Sequence, residues 1–102
     1  MPTLTKVAQK KDIEEGKGKC VSVNNNPIAI FNVNGQFYAI DDTCSHAGGP
    51  LSEGELNGTK VTCPWHGAIF DITTGAALDY PASEAVKKYT VHVQGDDILL
   101  ET

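Results

Sequence analysis

Apolar, β-branched and aromatic side chains recur at every second position through most of this chain, and Asn- or Gly-containing turns cut the runs short. A period of two belongs to half-buried strands, because successive side chains point to opposite faces. The runs are Cys20–Val23, Ile28–Val33, Gln36–Ile40, Lys60–Cys63, Ala68–Ile72, Lys88–Gln94 and Ile98–Glu101. Asn24-Asn25-Asn26-Pro27, Asn34-Gly35, Asn57-Gly58, Thr74-Gly75 and Gly95-Asp96 supply the turn chemistry between them. In Lys88–Gln94, Tyr89, Val91 and Val93 share one face, and Thr90, His92 and Gln94 the other. Lys10–Glu15 alone suggests a helix, and Gly16 stops it within about one turn. Seven short strands predict an all-β fold, a small antiparallel sandwich or incomplete barrel. No repeat or linker divides the 102 residues, so one domain over 1–102 is expected, and 40% apolar residues fill a modest core.

Charge narrows the partners. Eight lysines and no arginine face 13 acids, a net charge of −5. Residues 1–20 hold five Lys against three acids, and residues 21–102 three against ten. That body repels nucleic acid, and the scatter of Lys6, Lys10, Lys11, Lys17 and Lys19 reads as a solvated face. No apolar run is long enough to span a bilayer and none resembles a signal-peptide core, so a cytoplasmic protein without membrane contact is expected. No hydrophobic oligomer seam is visible, and a monomer is the default. Three cysteines cannot all pair, and in a reducing compartment they are metal ligands or core residues.

The least strand-like stretch, Asp41–Gly54, contains Cys44 and His46. Cys44-Ser45-His46 is followed, after sixteen residues, by Cys63-Pro64-Trp65-His66. Each pair sets a soft thiolate beside an imidazole on a short loop, with Gly48, Gly49, Pro50, Gly67 and Ala68 around them. Glycines let backbone N–H groups approach a bound anion. A Cys44–Cys63 disulfide leaves both histidines unexplained. Structural zinc accepts two thiolates and two imidazoles, but its usual spacings pair Cys with Cys and His with His. A Cys nucleophile needs one Cys–His pair, not two matching loops. A [2Fe-2S] cluster accommodates all four side chains.

Cys-x-His and Cys-x-x-His at this separation resemble the Rieske motif, and the chain is similar to bacterial Rieske-type ferredoxins. Asn34-Gly35-Gln36-Phe37-Tyr38-Ala39, Leu51-Ser52-Glu53-Gly54, Phe70-Asp71, Thr74-Gly75 and the Tyr89–Leu100 hairpin extend the likeness over most of residues 3–101. The resemblance implies a Rieske fold with a two-loop cluster-binding subdomain at about 41–80. It implies one [2Fe-2S] cluster, with Cys44 and Cys63 on one iron and His46 and His66 on the other. It further implies a one-electron carrier, with no catalysis of its own, between a flavin-dependent NAD(P)H reductase and the terminal oxygenase of a ring-hydroxylating dioxygenase of aromatic catabolism. The alternative is a small reductase subunit resembling that of assimilatory nitrite reductase. Beyond His46 and His66 the chain has only His92, too few for the mononuclear iron of an oxygenase.

The same likeness bears on potential. Two thiolates in place of four leave the oxidised site formally neutral, which eases reduction and gives potentials of roughly −150 to +300 mV. High-potential relatives carry two bridging cysteines where this chain has Gly49 and Trp65, and hydroxyls where it has Ala68 and Phe70. Without those hydrogen bonds the low end of the range is expected; the acids Asp41, Asp42, Glu53 and Glu55 push the same way. Pro50, Trp65, Gly67 and Ala68 form the expected docking patch, and Pro81, after Tyr80, a cover over the cluster. His92 is expected to be a polar-face histidine, Cys20 an inert thiol, and Asp71 a brace for the Thr73–Gly75 turn.

Overall fold

A computed structural model describes residues 3–43, 50–64, 67–78 and 85–101. Among the described residues ten strands run β1 Leu4–Gln9, β2 Gly18–Val23, β3 Asn26–Val33, β4 Gln36–Asp41, β5 Glu55–Asn57, β6 Lys60–Thr62, β7 Ile69–Asp71, β8 Lys88–Tyr89, β9 Val91–Gln94 and β10 Asp97–Glu101. They form three antiparallel sheets, ordered β1-β10-β9, β2-β3-β4-β8 and β5-β6-β7. Among the described residues there is no α-helix, only 3₁₀ turns at Lys10–Asp12 and Leu51–Glu53. The helical hint at Lys10–Glu15, expected to last about one turn, is a 3₁₀ turn over Lys10–Asp12, with Gly16 (φ 79°) beyond it.

The turns explain why the strands pair as neighbours. Asn24 and Asn25 (φ 52° and 67°) join β2 to β3, and Asn34 and Gly35 (φ 52° and 84°) join β3 to β4. Two consecutive left-handed residues make the turn whose twist matches a right-handed hairpin. Asn32 fastens the second turn from below: its side-chain oxygen accepts from Gly35 N (3.0 Å), and its amide donates to Ile13 O (2.8 Å).

The middle sheet is buried on both faces. From β3 and β4, Ile28, Ile30 and Ala39 pack with Ala8, Ile98 and Leu100 into a base core. Ala29, Phe31 and Ile40 point the other way, into a tip core with Leu51, Val61, Cys63, Ala68, Phe70 and Ile72. Each large side chain so buried contributes about 1.5–3 kcal/mol. Three layers therefore share one wall.

Two strands escape the period-two reading. Strand β1 buries only Ala8, and its pairing with β10 shifts register between Lys6 and Ala8, which breaks the alternation. Strand β5 has three residues and no fully buried one. The single run expected at Lys88–Gln94 is divided. Lys88–Tyr89 pairs with β4, Val91–Gln94 pairs with β10, and the chain changes sheets at Thr90. His92 Nε2 lies 3.0 Å from Glu101 Oε2, a polar partner on the neighbouring strand.

Candidate cluster site

Two loop stems meet at one end of the fold. The first leaves β4 at Asp42; Thr43 bridges to Pro50, closing the stem around residues 44–49. Leu51 follows directly and is fully buried. The second loop extends the β6–β7 hairpin: Cys63 N donates to Ala68 O (2.7 Å), and Gly67 N to Cys63 O (3.1 Å). Leu51, Cys63 and Ala68 belong to one apolar cluster, which brings the base of each loop against the other.

Cys63 is 1% exposed and points into that apolar wall. Cys44, His46, Trp65, His66 and Pro81 lie outside the described residues. Pro50 is half-buried, and Pro64 and Gly67 are exposed. Ala68 corrects the docking patch. It is 0% exposed, because its backbone closes the hairpin on Cys63 and its methyl fills the tip core. Its side chain is therefore covered and offers no exposed surface. Asp42 likewise faces inward, at 7% exposure, so of the four acids expected to act on the potential Glu53 and Glu55 are the exposed ones.

A third segment is fastened beside the loops. Asp71 Oδ1 accepts from Thr73 N (2.8 Å) and Thr73 Oγ1 (2.6 Å), bracing the turn as its sequence position suggests. Gly75 (φ 80°) follows; its carbonyl accepts from Val86 N (2.8 Å), and any Cβ there would collide with the Val86 carbonyl oxygen. Beyond Val86, Lys87 O accepts from Asp41 N (2.9 Å), and Tyr89 Oη donates to Asp41 Oδ1 (2.6 Å). Burial, with Asp41 adding to it, pushes the Tyr89 phenol up to about 12. The described residues that flank Pro81 in sequence are therefore tied together at Gly75 and Val86 and fastened to Asp41.

Cys20 stands on β2 opposite Ala29, with an exposed side chain. Partial burial and the neighbouring Asp42 raise its thiol above the usual range, which disfavours the thiolate. The same contact reveals what the sequence hid: Asp42, two residues before Cys44, is buried among β2, β3 and the Leu51–Glu53 turn. The sequence places Asp42 only among the acids near the loops, because a lone carboxylate carries no spacing pattern that marks it as a cap.

A layered β fold whose two loop stems meet at one end, with a buried thiol at the root of one, marks that end as the candidate site. Residues 3–90 match the Rieske [2Fe-2S] domain, and the chain belongs to that family. It is 45% identical over 87 residues to the 3-phenylpropionate/cinnamic acid dioxygenase ferredoxin subunit of Shigella flexneri serotype 5b (strain 8401), covering 83% of this chain and 82% of the relative. The ferredoxin of carbazole 1,9a-dioxygenase from Nocardioides aromaticivorans IC177 matches with a TM-score of 0.92 at 30% identity over 96% of each chain. A chain in the complex of reduced oxygenase and oxidised ferredoxin in carbazole 1,9a-dioxygenase matches with a TM-score of 0.90 at 33% identity, over 96% of this chain and 92% of that one. The cofactor is accordingly a Rieske-type [2Fe-2S] cluster. The residues fit it: a buried thiol on an apolar wall suits a ligand shielded from water, and soft sulfur suits iron.

Proposed function

We propose that this chain is the ferredoxin of a multicomponent ring-hydroxylating dioxygenase. It carries single electrons from a flavin-dependent NAD(P)H reductase to a terminal oxygenase in the cytoplasm. The observation that carries this reading is the meeting of both loop stems around buried Cys63, in a chain 45% identical to a dioxygenase ferredoxin subunit. We assign Cys44 and Cys63 to one iron and His46 and His66 to the other, within a single Rieske domain whose cluster-binding part lies near 41–80. When bound, the cluster supplies a reversible one-electron couple.

The protein's own residues do the rest. Leu51, Ala68 and Phe70 keep water from the Cys63 side. Of the expected patch, Pro50, Trp65 and exposed Gly67 are kept as a small docking surface suited to brief encounters, and Pro81 as a cover over the cluster. Glu53 and Glu55 favour partners with basic docking faces. The protein acts as a monomer, and its potential lies at the low end of the roughly −150 to +300 mV Rieske range.

Reconstitution tests the proposal. The purified protein should be red-brown, with about two irons and two acid-labile sulfides per chain. It should be reduced by NAD(P)H through such a reductase and reoxidised by a terminal oxygenase with its aromatic substrate. A colourless zinc protein, or one that a reductase reduces but no oxygenase reoxidises, would overturn it.

A further inference from the structure

The first loop returns to the fold through a 3₁₀ turn that lacks a cap of its own. Its cap position is Pro50, which makes no side-chain cap hydrogen bond, leaving the first N–H groups of Leu51–Glu53 to find acceptors elsewhere. Glu53 N turns back to Pro50 O (3.1 Å), and Asp42 supplies acceptors for the other two. Its backbone oxygen accepts from Leu51 N (2.6 Å), and its Oδ1 from Ser52 N (2.7 Å). The residue that enters the loop thus caps the turn that leaves it.

Asp42 is itself immobilised. Its own N–H donates to Pro27 O (3.1 Å) on β3, and its side chain is buried beside Cys20 of β2. The turn is also pressed from the β2 side: a Cβ at Gly18 would come within 3.0 Å of Ser52 O. Thr43 and Pro50 bridge just outside this clasp. Both ends of the segment carrying Cys44 and His46 are therefore referred to one side chain and one strand.

We infer that Asp42 is a positioning residue for the first cluster loop: by capping Leu51–Glu53 from the opposite stem it fixes the loop's span, and so the placement of Cys44 and His46. The inference rests on the ligand assignment proposed above. A neutral Asn keeps an oxygen acceptor for Ser52 N, whereas Ala removes it. Outer partners of this kind typically influence metal retention about 10–100-fold.

The test compares iron release to a chelator, and the electron paramagnetic resonance spectrum of the reduced cluster, in wild type, Asp42→Asn and Asp42→Ala. Asp42→Ala should release iron about 10–100-fold faster and with altered g values. Asp42→Asn should stay close to wild type on both readouts. Protection of the Ile28 and Ile30 amides from hydrogen exchange reports whether the base remains folded. Should Asp42→Ala lose the base, Asp42→Glu carries the test, since it displaces the acceptor by one methylene and should still accelerate release. Wild-type behaviour of Asp42→Ala, or of Asp42→Glu in its place, overturns the inference; so does an Asn variant as damaged as Ala. Failure of the wild type to hold a Rieske cluster overturns instead the assignment on which the inference rests.

Discussion

Single residues at the margin of the tip have measurable consequences of their own. Tyr89 donates to Asp41, and its phenol is raised to about 12, so its neutral form is favoured in the folded state. A raised pKa of this kind leaves stability intact below the unfolded value near 10 and removes it as pH climbs from about 10 to about 12. Melting temperatures recorded across that window should fall less steeply for Tyr89→Phe than for wild type; equal slopes would refute the link. Gly75 is more demanding. Its φ of 80° disfavours any Cβ, and the Val86 carbonyl occupies the space one would need. Gly75→Ala should lose at least about 1–2 kcal/mol in denaturant unfolding. A variant as stable as wild type would show that the Gly75–Val86 contact relaxes freely.

Strands and turns divide into those the residue pattern reveals and those it hides. Alternation found β3, β4, β6, β7 and β10 because each buries at least one face, and Asn-Gly chemistry found the hairpins because left-handed backbone restricts residue choice. It missed β1 and β5, whose mostly solvated faces are held by ladder hydrogen bonds rather than by burial. It joined β8 to β9 because alternation records which face a side chain takes and not which neighbour its backbone pairs with. The site is legible to the same depth: the Cys and His spacing marks the loops, whereas Asp42 needs three-dimensional contacts to be recognised as a cap. The two cores make a paired prediction at this scale. Leu51→Ala in the tip and Ile98→Ala in the base each remove a fully buried side chain and should cost about 2–5 kcal/mol. Iron release from folded molecules should accelerate for Leu51→Ala alone; equal acceleration in both would show the two cores to be energetically one.

The molecule as a whole is a base and a tip that lean on a common sheet. Removing iron should leave the base ordered: amides of Ile28, Ile30 and Ile98 should keep their exchange protection while those of Val61 and Phe70 lose some, and uniform loss would argue for one cooperative unit. Electron delivery to a basic partner surface should slow as ionic strength rises, and a salt-independent rate would exclude charge as the guide. The shared wall has one more effect. Since β3 alternates Ile28 and Ile30 with Ala29 and Phe31 between two differently shaped interiors, a slip of one residue in its pairing would send every one of these side chains into the wrong compartment. The tight turns at Asn24-Asn25 and Asn34-Gly35 therefore guard two interiors at once, and a single inserted residue in either would misfill both.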